Sequence, residues 1–191
     1  VKSSNTFANG NLTSTMSAAT PAKIVSTIGV SAGTWYAEYY YNGNSNYPIG
    51  ISADSISRDY LGMSDGSTSV SFWIGPTSTA VYVNAASQTF SGSGTTWAAG
   101  DIAGLAIDAN NREVSLYKNG VLVGAAWSYL AYNWTNAFFA GGNYVNGNEY
   151  NINFGQNPTF SGQTAAGTNA DDSGKGLFKY APPSGFLALC E

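Results

Sequence analysis

Hydrophobic positions in this chain recur at every second residue, and Gly, Asn and Ser interrupt them about every 8–12 residues. That rhythm predicts short strands joined by tight turns and almost no helix. The strands it predicts are Leu12–Met16, Ile24–Val30, Thr34–Tyr41, Ile49–Ala53, Tyr60–Met63, Val70–Ile74, Ala80–Val83, Ile102–Asp108, Glu113–Lys118, Val121–Gly124, Ala137–Gly141, Glu149–Phe154 and Phe186–Leu189. The pattern is clearest over Gly100–Gly124, which reads as a three-stranded antiparallel meander. Asn110-Asn111 marks its first turn, with Asp108 expected to accept turn N–H groups. Asn119-Gly120 marks the second as a two-residue hairpin, because both residues tolerate the positive φ of a type I′ turn. In Thr34–Tyr41, parity places Trp35, Ala37, Tyr39 and Tyr41 on one face. That face is assigned to the core, since Glu38 on the other would be costly there without a partner. Trp35, Ile107, Leu116 and Phe154 are expected to be buried. The Ser-, Gly-, Thr- and Ala-rich stretches Ala85–Gly100 and Ser161–Gly176 read as long surface loops.

Composition narrows the class. A chain of 191 residues is long enough for one sandwich with a sizeable core, and residues 1–191 are read as a single domain. The formal net charge is −4, and the basic residues Lys2, Lys23, Arg58, Arg112, Lys118, Lys175 and Lys179 are scattered, which argues against a nucleic-acid partner. Cys190 has no second cysteine to pair with. No apolar run approaches the length of a membrane span, so no membrane insertion is expected. The sequence opens on Val1 and carries no leader-like segment, and it is expected to be part of a longer or processed protein.

Several motifs resemble the SPRY (B30.2-like) domain. Gly100, Asp101, Gly104, Asp108 and Tyr117–Gly120 are similar to its core meander. Ser31–Glu38 (SAGTWYAE), Gly50-Ile51, and Asn153–Gln156 with Pro158 and Phe160 resemble its earlier and later elements in the right order. The closing Pro182–Cys190 is similar to the terminus of SPRY-like domains in phage structural proteins. The resemblance covers roughly residues 24–190 and implies an all-β fold, a two-sheet antiparallel β-sandwich of the concanavalin-like/SPRY jelly-roll type. It transfers scaffold only, because the positions that match are scaffold positions and no PRY-like extension is recognisable.

Catalysis finds little support in the residues. Absence of His removes Ser-His-Asp triads and the commonest zinc ligand. Sandwich glycosidases place Glu-x-Asp-x-Glu along one strand, whereas Glu38, Glu113, Glu149 and Glu191 each lack a carboxylate two residues away. No cofactor is called for. Asp171-Asp172-Ser173-Gly174 and Asp54–Asp59 offer acids without EF-hand spacing and read as solvated loop acids, so no metal site is assigned.

Aromatic and amide residues between strands are more suggestive. Trp127–Trp134 places four aromatics in eight residues, Asn143–Asn148 follows, and Tyr41–Tyr47 forms a second cluster. Tyr and Trp supply contact area at low entropic cost while Asn, Ser and Gly supply adaptable hydrogen bonds, the composition of binding loops. Tyr129, Tyr132, Trp134, Asn143, Tyr144 and Asn146 are the candidate ligand-binding residues, expected on neighbouring loops and partly exposed. The competing reading of Trp127 and Trp134 is that they cap one end of the sandwich. The leading functional expectation is a non-enzymatic recognition module on the surface of a phage or phage-like virion, binding a host-surface glycan or protein through multivalent display. The alternative is a structural decoration domain contacting other virion subunits, and a sandwich-fold glycoside hydrolase stands third.

Overall fold

The computed structural model describes residues 5–17, 22–43, 46–53, 61–62, 69–83, 85–143 and 147–189. In chain order the strands are β1 (Asn5–Ala8), β2 (Thr13–Met16), β3 (Ala22–Val30), β4 (Thr34–Tyr40), β5 (Tyr47–Ser52), β6 (Ser69–Ile74), β7 (Thr79–Val83), β8 (Ala86–Gln88), β9 (Ile102–Asp108), β10 (Glu113–Lys118), β11 (Val121–Leu122), β12 (Trp127–Ser128), β13 (Ala137–Asn143), β14 (Glu149–Asn153), β15 (Asn169–Ala170), β16 (Leu177–Phe178) and β17 (Leu187–Ala188). Helical structure among the described residues is confined to a 3₁₀ turn at Leu130–Tyr132.

Two sheets carry the fold, ordered β1-β2-β14-β4-β9-β10-β11 and β3-β13-β5-β6-β7-β8. β12 adds to β10 and β17 to β4 in the first sheet, and β15-β16 form a small ladder. Pairing is antiparallel except between β17 and β4, where Leu187 faces Trp35 and Ala188 faces Tyr36. The result is the expected β-sandwich. Tyr60 and Met63 lie outside the described residues.

The meander forms as its sequence requires. Glu113 pairs with Asp108 and Lys118 with Ala103, while Lys118 pairs with Val121 around the tight turn. Asn119 and Gly120 take φ of 49° and 79°. The Asn119 side chain accepts from Ile102 N and donates to Asp101, whose carboxylate also meets Lys118 Nζ at 3.0 Å. Asp108 accepts from the backbone and side chain of Asn111, at 2.9 and 2.7 Å.

The main core lies between the sheets and is unusually rich in tyrosine. Tyr39, Tyr41, Tyr47 and Tyr150 are fully buried there, with Ile49, Phe72, Leu105 and Ile107. Tyr41, assigned to the core by parity, and Tyr47, its fellow in the second aromatic cluster, meet edge-to-face at 5.7 Å inside this core. Tyr47 stacks in turn on Tyr150 at 3.8 Å. Ile107 and Leu116 are buried as expected, but Trp35 and Phe154 are only partly so. Trp35 turns its indole N–H to Ala32 O at 2.7 Å near the sandwich end, and Phe154 packs edge-on to Phe139 beside a cleft.

Parity correctly turns Ala37 and Tyr39 inward, yet the opposite face of β4 is buried as well. Tyr36, Ala106, Phe178 and Ala188 form a second core between the first sheet and the C-terminal segment, which crosses its outer face as a strap. Gly104 permits this crossing, since a Cβ there would stand 2.2 Å from Tyr36 Oη. Beneath the strap Glu38 is fully buried, accepting from Lys179 N at 2.8 Å and Tyr180 N at 2.9 Å. Burial outweighs these donors and raises its carboxyl from an ordinary 4.5 to about 7.

The expected surface loops are partly structural. Phe90 and Trp97 from the first are buried, the Trp97 indole N–H donating to Thr79 Oγ1 at 2.9 Å. In the second, Asp171 is buried rather than solvated, and accepts from Ala188 N, Lys175 N, Gly176 N and Ser173 Oγ. Ser and Gly are frequent in both stretches, where small residues let backbone lie flat against the sheets.

One edge of the second sheet is irregular. Gly29 pairs with Phe138 and Val25 with Ala140, so three residues of β3, Ser26 to Ile28, oppose Phe139 alone. This bulge turns Thr27 and Ile28 outward, and Ser26 Oγ donates to Ile28 O at 2.7 Å.

Candidate functional site

One end of the sandwich gathers most of the aromatic residues singled out from sequence. Three connections meet there: the turn between β9 and β10, the turn between β3 and β4, and the segment from β12 to β13. Ala109 N donates to Gly33 O at 2.9 Å and Gly33 N to Asn110 Oδ1 at 3.0 Å, which locks the first two together. Tyr129 N donates to Arg112 O at 2.8 Å and attaches the third. Arg112 itself sits at φ 56°, in the left-handed region that closes the turn.

On this frame Tyr129 and Trp134 stack at 5.3 Å, and Tyr132 and Trp134 at 5.7 Å. The rings satisfy one another. Tyr129 and Trp134 are 3% and 8% exposed, so they belong to the main core, with Tyr132 and Trp127 half-buried against it. The expectation that Tyr129 and Trp134 would be partly exposed is corrected: flat rings offered to water at a sandwich end bury more apolar area by stacking on each other. Burial, reinforced by the Asp108 carboxylate, pushes the Tyr129 phenol up to about 12 although Arg112 opposes the shift, and it stays neutral.

The other candidates fall elsewhere. Asn143 closes β13 opposite Ala22, whereas Ala137 opens it opposite Val30. β13 runs seven residues, so its ends stand about 20 Å apart and the structure does not bring Asn143 to Tyr129. The expectation of neighbouring loops rested on a shorter strand. Tyr144 and Asn146 lie outside the described residues.

Beside the ring stack is a half-open recess of about 270 Å³, walled by Val30, Ala109, Ala137, Tyr129 and Trp134. Its polar groups are Ser31, Arg112, Thr135 and Asn136. Arg112 was known from sequence only as one scattered cation. The turn and the ring stack make it part of a site, a convergence of three segments that no linear spacing encodes. A second cleft of about 200 Å³ opens beside the β3 bulge, lined by Leu12, Ile24, Ile28, Phe139, Phe154 and Leu189, and it carries no charged side chain. No sequence signal marked it, because a bulge leaves period-two patterning almost intact.

Cross-strand register also creates a carboxylate pair that a search along single strands missed. Asp108 and Glu113 are directly opposite on β9 and β10. Both oxygens of Asp108 are held by Asn111, and neither recess includes the pair. Glu149 is occupied too, accepting from Asn151 Nδ2 at 2.7 Å. Among the described residues no group of three or more His, Cys, Asp and Glu is arranged to hold a metal. Among the described residues no helix is long and apolar enough to cross a membrane.

No family model matches the sequence, and no curated protein is similar to it by sequence search. Structural similarity is found instead. The SPRY domain of human HERC1 matches with a TM-score of 0.62 at 19% identity, over 78% of this chain and 91% of that one. The PSpry domain of TRIM65 matches with a TM-score of 0.61 at 12% identity, over 78% of this chain and 85% of that one. Sequence motifs, strand order and structural neighbours agree that this chain has a SPRY-like β-sandwich fold.

Proposed function

We propose that this chain is a non-enzymatic recognition module of a phage or phage-like virion protein, displayed on the virion surface and binding a host-surface glycan or protein. The observation that carries the reading is the recess at the sandwich end, where Ser31, Arg112, Thr135 and Asn136 rim a wall of buried aromatics. A recess where a few polar groups converge beside packed rings can orient a small ligand. The SPRY-like fold supports an interaction role, and the resemblance of the closing Pro182–Cys190 supports the phage setting. Glu38 and Asp171 are both taken up in holding the C-terminal segment to the first sheet. The test is a glycan array probed with the chain displayed on multivalent particles, beside Asn136→Ala. The expected result is retention on a restricted set of glycans, weakened several-fold by the substitution. Retention on none together with no binding to host cells, or turnover of a polysaccharide lost on Glu113→Gln, overturns the reading.

A second reading, a decoration domain that contacts other virion subunits, is favoured by the uncharged cleft beside β3, where Ile28 is 49% exposed. Crosslinking from Ile28→Cys to a neighbouring subunit, with no glycan retained, would establish it in place of the first.

A further inference from the structure

Arg112 is the unusual member of the recess. Lys118 is paired with Asp101 and lies over the Trp97 ring, and Lys179 Nζ donates to Ala165 O. The Arg112 guanidinium has no hydrogen-bond or ion-pair partner among the described residues, although it is only partly exposed. Two acids belong to the same turn, Asp108, whose oxygens accept from Asn111, and Glu113, which stands opposite Asp108 on β10; among the described residues neither is ion-paired with Arg112. A guanidinium half-withdrawn from water and left without an acceptor is a group prepared for a planar anion, which it binds through two parallel N–H donors.

The neighbours of Arg112 narrow the choice of anion. Ser31, Thr135 and Asn136 offer neutral donors and acceptors suited to hydroxyl groups, and the recess holds no second cation. A phosphate or sulfate group would be expected to collect more than one positive charge, whereas a single Arg suffices for a carboxylate. At about 270 Å³ the space lies just below the usual range for drug-sized ligands and suits one ring rather than a chain. Trp134 is buried and stacked with Tyr129 and Tyr132, so recognition falls to the polar rim rather than to stacking on the sugar. We infer that the recess is a site for the carboxylate of an acidic sugar residue, held by Arg112 while Ser31, Thr135 and Asn136 bond its hydroxyls. This rests on the recognition reading above and gives that site its ligand class.

The test uses the full 191-residue chain and two probes of equal shape, p-nitrophenyl β-D-glucuronide and p-nitrophenyl β-D-glucoside, titrated by NMR or calorimetry. Arg112→Asn is the informative variant, because Asn tolerates the left-handed backbone at this position and is expected to keep the fold. The expected result is glucuronide binding at least tenfold tighter than glucoside, with the difference abolished by Arg112→Asn and partly restored by Arg112→Lys. A thermal melt of Arg112→Asn equal to the parent confirms that the loss is not unfolding. Equal binding of the two glycosides overturns the carboxylate assignment and leaves the glycan reading standing. Binding of neither glycoside, with an array that is also blank and no binding to host cells, overturns both. A short peptide that binds through its free C-terminal carboxylate but not as the amide, in the absence of glucuronide binding, overturns the sugar in favour of a protein terminus.

Discussion

Glu38 makes the stability of this protein depend on pH between about 4.5 and 7. Its carboxyl is buried under the C-terminal strap and raised from 4.5 to about 7. The folded protein therefore holds this proton more tightly than the unfolded chain does. The stabilisation is fully present below pH 4.5, falls as pH rises toward 7, and is gone above it. The interval corresponds to about 3 kcal/mol at ~1.4 kcal/mol per pH unit. No histidine is present, so no ordinary side chain competes between pH 5 and 7.5. Urea denaturation across that range is expected to show the midpoint falling with an unchanged m-value. Glu38→Gln, which cannot ionise, should remove most of the slope while costing about 1–3 kcal/mol at pH 5 through an imperfect match to Lys179 N and Tyr180 N. A flat wild-type profile, or a Glu38→Gln variant with the same slope as wild type, would refute the reasoning.

Three further perturbations address separate parts of the fold. Gly120→Val should destabilise by about 1 kcal/mol or more in chemical denaturation, because φ is 79° and a Cβ would meet Tyr180 at 3.1 Å. Asp171→Ala leaves Ala188 N and Gly176 N without their acceptor, and is expected to speed proteolysis and hydrogen exchange of residues 171–189 while the two-sheet core stays protected. Trp134→Ala should cost about 3–5 kcal/mol and remove near-ultraviolet dichroism from the ring stack; an undiminished thermal midpoint would count against its place in the core.

Legibility in the sequence followed the range of the interactions. The meander was readable because Asn119-Gly120 and Asp108–Asn111 are local devices whose chemistry acts within a few residues. β4 was half readable: alternation turned Ala37 and Tyr39 inward, but it cannot reveal that a segment some 140 residues later covers Tyr36 and Glu38. Short β8, β12, β15 and β16 escaped because two or three residues carry no period. At the candidate site, composition found the Tyr129–Trp134 cluster, and its capping of the sandwich followed from the same aromatic content that suggested binding. Arg112 escaped because its relevance comes from Gly33, Asn110 and Tyr129 N, all brought to it by backbone hydrogen bonds across three connections.

The bulge in β3 also bears on how the molecule behaves in company. β3 is a nine-residue edge strand rich in β-branched side chains, and its one charged residue, Lys23, is buried and bonded to Ser52. Such an edge normally invites another molecule's strand, and most proteins repel it with charge or proline. A chain with only 9% charged residues has little charge to post there. Shape takes that duty instead: the three-against-one mismatch at Ser26–Ile28 breaks the ladder into two short runs, and Ser26 caps a carbonyl that an incoming strand would need. An irregularity of two extra residues thus guards this edge, and shortening β3 to perfect regularity would be expected to promote edge-to-edge association.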